Sequence, residues 1–272
     1  MCRWLAYTGS PIWMSKILIE PKDSLIDQSL HARKGIPTNG DGFGIGWYDR
    51  NNSAGLFRSL RPAWNDPNLK DLVSHIGSHL FLAHIRAASL APIQETNCHP
   101  FRYKNILFVH NGQINNFDKI HQKLISLISP EYFGNIQGST DTEIMFHLAL
   151  SFGLEKDVPS SISKMVQAIN SAGKEAGVSC DLTMTLGISD GNSLWGFRYA
   201  NDGNSPSLFI SPGIEDLIRL NPSLNGKLNN FAASLVSEPI GKYQEIWKPV
   251  PGNTVVLIKD EKINYAPFQV NN

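Results

Sequence analysis

The sequence predicts an α+β fold of stacked sheets covered by helices, on three observations. Strand-like and helix-like segments come in groups, strands first, then helices, then strands, rather than alternating as a parallel β-α-β fold requires. Apolar residues make up 42% of the chain and charged residues 18%, the balance of a chain that buries a core. No linker, repeat or low-complexity tract divides the 272 residues, so one domain spanning 1–272 is expected.

Taken in order, Cys2–Tyr7 reads as a short buried strand that starts at once, an unusual setting for a cysteine. Asp23 is expected to cap a helix carrying Leu25, Ile26, Ser29 and Leu30, with Gly35 and Pro37 marking its end. Phe43–Tyr48 and Gly55–Leu60 read as paired strands around the polar turn 49–53, and Asp66 as the cap of a helix running to about Ile76. His79–Arg86 and Asn105–His110 are strands with apolar middles and polar ends, the ends suggesting the edges of a site. Helices are expected from Asn116 (Phe117, Ile120, Leu124, Leu127), from Ser139 or Thr140 (Ile144, Leu148, Phe152), and from Pro159 to about Glu175. Glu143 strengthens the second of these caps. Strands Leu182–Ile188, Leu194–Tyr199, Phe231–Val236 and Thr254–Ile258 complete the pattern.

Lys plus Arg equals Asp plus Glu, at 24 each, so no net field draws in nucleic acid. No apolar run approaches the roughly 20 residues needed to span a bilayer, and the N-terminus lacks a basic segment followed by an apolar stretch. No membrane association and a cytoplasmic location are therefore expected. The three cysteines, at 2, 98 and 180, have neither disulfide-scaffold density nor C-x-x-C spacing, and read as reduced thiols.

Cys2 is the residue to weigh first. Trimming of Met1 would leave it carrying both a thiol and a free α-amine, with reference pKa values of about 8.5 and about 7.7–8.0, so the amine could take the thiol proton directly or through water. Acyl transfer also needs donors for an oxyanion. Asn111-Gly112, directly after a strand, offers a side-chain amide beside an unhindered N–H, although Asn-Gly is equally the commonest hairpin turn. Arg86, at a strand end, could grip a carboxylate with two parallel hydrogen bonds or serve a structural ion pair. Asp141, in a first helical turn, could meet an ammonium or simply favour the helix dipole.

Other patterns carry less. Gly40–Gly46 places glycine at every second residue before a strand, unlike a dinucleotide fingerprint, and reads as backbone that passes close to Cys2. His75, His79 and His84 straddle a helix end and a strand with no carboxylate motif beside them, so no metal is expected. Cys98 and His99 point to opposite faces of an extended segment, which makes His99 a structural or wall residue. No cofactor is called for.

Five motifs in order, Met1-Cys2, Asn39–Gly46, Ala83–Arg86, His110–Gly112 and Ser139–Glu143, resemble those of the class II glutamine amidotransferases. The resemblance implies the four-layer αββα sandwich of N-terminal-nucleophile hydrolases. It further implies Cys2 as nucleophile with its own amine as base, Asn111 and Gly112 as oxyanion hole, Arg86 as α-carboxylate clamp and Asp141 as α-ammonium partner. Asn39, Gly40 and His110 join the substrate-binding set on the same ground. Hydrolysis of a γ-glutamyl amide through a γ-glutamyl thioester is the implied reaction, on glutamine or a small γ-glutamyl metabolite. A glutaminase subunit feeding ammonia to a separate protein is the alternative, and homo-oligomerisation stays open. Length and local sequence (Met1-Cys2-Arg3, Gln28-Ser29, Arg61-Pro62 with Trp64, Asn97–Phe101, Val236–Pro239) are similar to the short stand-alone members of ergothioneine synthesis and glutathione breakdown. After Arg86 comes Ala87-Ala88-Ser89 instead of the tryptophan-containing continuation of the sugar-forming members, which leaves open the contacts that loop makes to glutamine there.

Overall fold

The computed structural model describes residues 2–30, 38–88, 91–211 and 213–270. Met1, Gly35, Pro37 and Ser89, each invoked above, lie outside the described residues. The strands are β1 (Arg3–Trp13), β2 (Phe43–Tyr48), β3 (Ala54–Ser59), β4 (Gly77–Ile85), β5 (Phe101–Tyr103), β6 (Ile106–Ile114), β7 (Leu182–Ser189), β8 (Ser193–Ala200), β9 (Phe209–Ser211), β10 (Ala232–Val236), β11 (Lys248–Pro249), β12 (Thr254–Lys259) and β13 (Lys262–Pro267). The helices are α1 (Ser15–Leu18), α2 (Leu25–Leu30), α3 (Pro67–His75), α4 (Phe117–Ser126), α5 (Pro130–Phe133), α6 (Asp141–Ser151), α7 (Val158–Ala176) and α8 (Ile214–Leu220).

Side-chain alternation along the strands builds the layers. On β1, Trp4 and Ala6 enter one core while Leu5 and Tyr7 enter another, and on β6 Leu107 and Val109 part from Ile106 and Phe108 in the same way. Trp4, Ala6, Leu80, Leu82, Leu107, Val109, Leu235 and Val256 fill the space between two antiparallel sheets. The first sheet has the order β11-β9-β10-β1-β4-β2-β3 and the second β13-β12-β8-β7-β6-β5. On the outer face of the first, Leu5, Tyr7 and Phe81 pack against α1, α2, α3 and α8 through Ile17, Leu25, Val73 and Leu217. On the outer face of the second, Phe108, Met184 and Leu186 pack against α4, α6 and α7 through Leu124, Leu148 and Val166. The result is the four-layer αββα sandwich expected. Fully burying one aliphatic side chain such as these is worth about 1.5–3 kcal/mol, so it is the three cores together that hold the layers.

Several local readings need correction. Ser24, not Asp23, starts α2: its Oγ accepts from Asp27 N–H (3.1 Å) while the Asp27 carboxylate accepts from Ser24 N–H (3.2 Å), a reciprocal capping box. Asp23 instead adopts a left-handed turn conformation, φ 60°. Asn116 does precede α4, but with φ 54° and no side-chain cap, its amide donating to Ser179 O (2.9 Å). Asp66, Thr140 and Asp157 cap α3, α6 and α7 with their side chains. Glu143 supports α6 from one turn back, its carboxylate accepting from Gln137 N–H (2.9 Å) and Gly138 N–H (2.7 Å). The strands β5, β9 and β11 lacked a periodic signal because two or three residues cannot display one, and β13, six residues long, lacked one because it is exposed on nearly every residue and so has no buried face to alternate with.

Candidate active site

Four segments end at one cavity. β1 and β4 pair with Arg3 opposite Ile85, which puts Cys2 at the start of one strand beside Arg86 at the end of the other. The tail of β6 (His110–Ile114) and the first turn of α6 approach from the second sheet. Between them lies a cavity of about 440 Å³ whose wall includes Cys2, Arg86, His110, Gly112 and Asp141, a volume suited to a small ligand.

Cys2 is half-buried. Its Sγ accepts from Ala87 N–H at 3.3 Å, and its thiol donates to the Ala87 carbonyl at 3.4 Å. Burial pushes this thiol above its ordinary value; the Ala87 hydrogen bond and the Arg86 charge pull the other way and do not prevail. A thiol so placed stays protonated near neutrality and needs a base. Arg86 is buried, its guanidinium donating to the carbonyls of Ala91 (3.1 Å), Pro92 (3.0 Å) and Asp41 (3.5 Å). Asp41 also accepts from Ala88 N–H through Oδ2 at 2.8 Å, fixing the chain just beyond Ala87.

Asn111-Gly112 is no turn: both residues lie in β6, opposite Thr185 and Met184 of β7. In an antiparallel strand the N–H groups alternate between neighbours. His110 N–H points away from β7 to Nδ1 of His99 (3.4 Å), and Ile114 N–H points the same way to Asp141 Oδ2 (3.0 Å). The Gly112 N–H stands between these two, on the edge that faces the cavity. Glycine is required there: φ is +147°, and a Cβ would collide with Thr183 O and with His110 Nε2. Asn111 follows Leu107 and Val109 in facing the first sheet, though it is not part of the cavity wall. Trp4, two residues after Cys2, reaches across with its indole N–H to Thr185 Oγ1 (3.1 Å), opposite Asn111, and so ties the start of β1 to β6 and β7.

Asp141 is committed on both oxygens, Oδ2 to Ile114 N–H and Oδ1 to Thr142 N–H (2.8 Å). His110 lines the cavity with its ring engaged at both nitrogens. Nε2 faces Thr183 O (3.4 Å), which can only accept, so Nε2 carries the proton and Nδ1 accepts from Thr142 Oγ1 (2.8 Å). Asn39 and Gly40 are not brought to the wall: Asn39 is fully buried with its N–H on Ser29 O (2.7 Å), and Gly40 packs against Trp64. The glycines of this stretch make room for a different neighbour than the one expected. A Cβ on Gly42 would stand 2.7 Å from Cys98 Sγ, and one on Gly44 would collide with the His99 carbonyl. The segment passing closely is therefore 98–99, not Cys2.

In the sequence Asn97 stands out only as part of the family-like stretch Asn97–Phe101, His99 as a structural or wall residue, and His84 as one of three histidines not expected to bind metal. All three line the cavity. The His84 and His99 rings pack against each other with centroids 4.1 Å apart and planes tilted by 40°, and burial drives both below their ordinary values, His84 to about 3. Among the described residues no group of three or more His, Cys, Asp or Glu could hold a metal ion.

A sequence model described as Glutamine amidotransferases class-II matches residues 22–222. The chain belongs to the class II glutamine amidotransferases, enzymes of glutamine and γ-glutamyl amide hydrolysis. It is 34% identical over 98% of its length to a yeast protein, Probable glutamine amidotransferase DUG3 of Saccharomyces cerevisiae, covering 84% of that protein. It is 31% identical over 118 residues to the Gamma-glutamyl-hercynylcysteine sulfoxide hydrolase of Mycolicibacterium smegmatis, a match covering 42% of this chain and 52% of that one. Among solved structures it superposes on a glutamine aminotransferase class-II domain protein from Silicibacter pomeroyi with TM-score 0.73 and 27% identity, covering 98% of this chain and 99% of the other. The glutamine phosphoribosylpyrophosphate amidotransferase of B. subtilis, at 16% identity and TM-score 0.66 over 99% of this chain and half of its own, shares the fold.

Proposed function

We propose that this chain hydrolyses a γ-glutamyl amide with Cys2 as nucleophile. The observation that carries the reading is the meeting of Cys2, Arg86, Gly112 and Asp141 on one cavity wall, from four separate segments. Once Met1 is removed, the α-amine of Cys2 is the base its raised thiol requires. The amine takes the thiol proton, Sγ attacks the γ-carbonyl, and the oxygen that becomes negative is received by the Gly112 N–H; the Asn111 amide, behind the wall on the side of the first sheet that carries Cys2, serves as second donor only if substrate binding brings it to the cavity. The proton passes to the departing amine as the tetrahedral centre collapses to a γ-glutamyl thioester, which water cleaves to glutamate. Arg86 and Asp141 take the carboxylate and ammonium of the glutamyl head. No carboxylate among the described residues is ion-paired with Arg86, which leaves its charge for a substrate.

The names of the relatives, a probable glutamine amidotransferase and a γ-glutamyl hydrolase, favour glutamine or a small γ-glutamyl metabolite as the substrate. The test is glutamate release by the Met1-trimmed protein from a panel of glutamine, glutathione and other γ-glutamyl amides. Cys2→Ala is expected to lower kcat/KM by at least about 10³-fold on the best substrate. Equal release by the Cys2→Ala protein would refute the assignment.

A further inference from the structure

We propose that the segment Asn97–Cys98–His99 is the positioning bracket of this cavity, with Asn97 setting the spacing of Arg86 and Asp141, and His99 setting the β6 edge that presents the Gly112 N–H. The proposal rests on the reading of the cavity as a γ-glutamyl amide site.

Asn97 is fully buried and joins the two ends of the glutamyl-head site. Its Nδ2 donates to Pro92 O at 3.0 Å, the same carbonyl that accepts from Arg86 Nη2 at 3.0 Å. Its Oδ1 accepts from Ser139 N–H at 2.9 Å, and Nδ2 also reaches Ser139 Oγ at 3.3 Å. Ser139 precedes the α6 cap Thr140, and Asp141 is the first residue of that helix. One carboxamide thus links the loop that holds the arginine to the helix start that holds the aspartate. The link tolerates no slack, because a Cβ on Gly138 would collide with Asn97 Oδ1.

His99 acts at the other half of the site. β5 and β6 pair with Phe101 opposite Phe108, which places His99 opposite His110 where the short strand has already ended. The His99 ring supplies the acceptor that a strand backbone would have supplied, Nδ1 taking the His110 N–H at 3.4 Å. Asp141 takes the Ile114 N–H four residues on, so the strand is pinned on both sides of Gly112. Tilted ring contacts with His84 at 4.1 Å and Phe101 at 4.9 Å fix the ring; burial keeps it neutral, and donation from the His110 N–H selects the tautomer in which Nδ1 is the acceptor. Gly42 and Gly44 provide the clearance under Cys98 and His99 that lets the segment lie on the start of β2.

A bracket with two ends predicts two different kinetic defects. On the best γ-glutamyl substrate, Asn97→Asp keeps the acceptor for Ser139 N–H and loses donation to Pro92 O; KM should rise at least about 10-fold with kcat within about 3-fold. His99→Gln moves the acceptor away from the Nδ1 position; kcat should fall at least about 10-fold with KM within about 3-fold, since misplacement by about 1 Å costs on the order of 10²-fold. His99→Asn returns an acceptor to the Nδ1 position and should recover most of that loss. Calorimetric affinity for glutamate, weakened in Asn97→Asp and unchanged in His99→Gln, provides a second readout independent of turnover. Proportional changes of kcat and KM in both variants, or identical behaviour of Gln and Asn at 99, would overturn the bracket while leaving an active wild type to support the γ-glutamyl reading. A wild type that releases no glutamate from any panel member overturns both.

Discussion

Cys2 and Ala87 exchange hydrogen bonds at the floor of the cavity: the Ala87 N–H donates to Sγ at 3.3 Å and the thiol donates to the Ala87 carbonyl at 3.4 Å. The pair holds the sulfur in place as a thiol. With Met1 retained, alkylation of Cys2 by iodoacetamide should therefore show a pH midpoint above that of a free cysteine, because burial raises the pKa. Trimming Met1 puts an ammonium on the same residue and should lower the midpoint. Identical profiles for the two forms would show that the amine does not act on the sulfur.

Arg86 bonds three backbone carbonyls and is 5% exposed, so its fork geometry matters as well as its charge. Arg86→Lys is expected to raise KM by roughly 10- to 100-fold for a γ-glutamyl substrate and to destabilise the fold by about 1–3 kcal/mol. Kinetics and urea denaturation check the two effects separately. An unchanged KM would remove Arg86 from the substrate site.

Gly112→Ala introduces a Cβ at φ +147° against Thr183 O and His110 Nε2. A loss of about 2–5 kcal/mol in unfolding free energy is expected from strain and overpacking together, with glutamate release abolished. A variant of wild-type stability would contradict the strand geometry described for β6.

The buried, adjoining rings of His84 and His99 set a pH dependence of stability. His84 falls from an ordinary value of 6.5 to about 3 in the fold because burial, then the His110 and Arg86 charges, disfavour its cation. Between those limits the unfolded chain binds more protons, so the contribution is fully present above about pH 6.5 and is lost as pH falls towards 3. His99, lowered by burial and by the same neighbours, acts in the same direction. The melting temperature should fall on acidification from pH 6.5 to 5, above the range of ordinary carboxylates, and His84→Phe should flatten that slope. A flat wild-type profile over this interval would sink the argument.

The grouping of strands and helices made the layered fold legible, and alternation on β1, β4 and β6 survived because each strand separates two cores. The start of α2 was misplaced by one residue because Asp23 and Ser24 are both good caps, and only backbone dihedrals separate a turn residue from a cap. Asn111-Gly112 reads equally well as a hairpin. What settles it is pairing with Thr185 and Met184, some seventy residues away, which no local pattern carries.

In the sequence Cys2, Arg86, Gly112 and Asp141 each carry an ordinary structural reading beside the functional one, and it is the ordered resemblance of five motifs to a known family that singles them out. Their convergence on one cavity, the clamping of Gly112 between His99 and Asp141, and the exclusion of Asn39 and Gly40 from its wall were decided by tertiary structure alone. The physical reason is one of range. Apolar periodicity and capping are local and act within a few residues, whereas the cavity is made where separate sheets and a helix meet, and the side chains that join them are selected by fit across the layers.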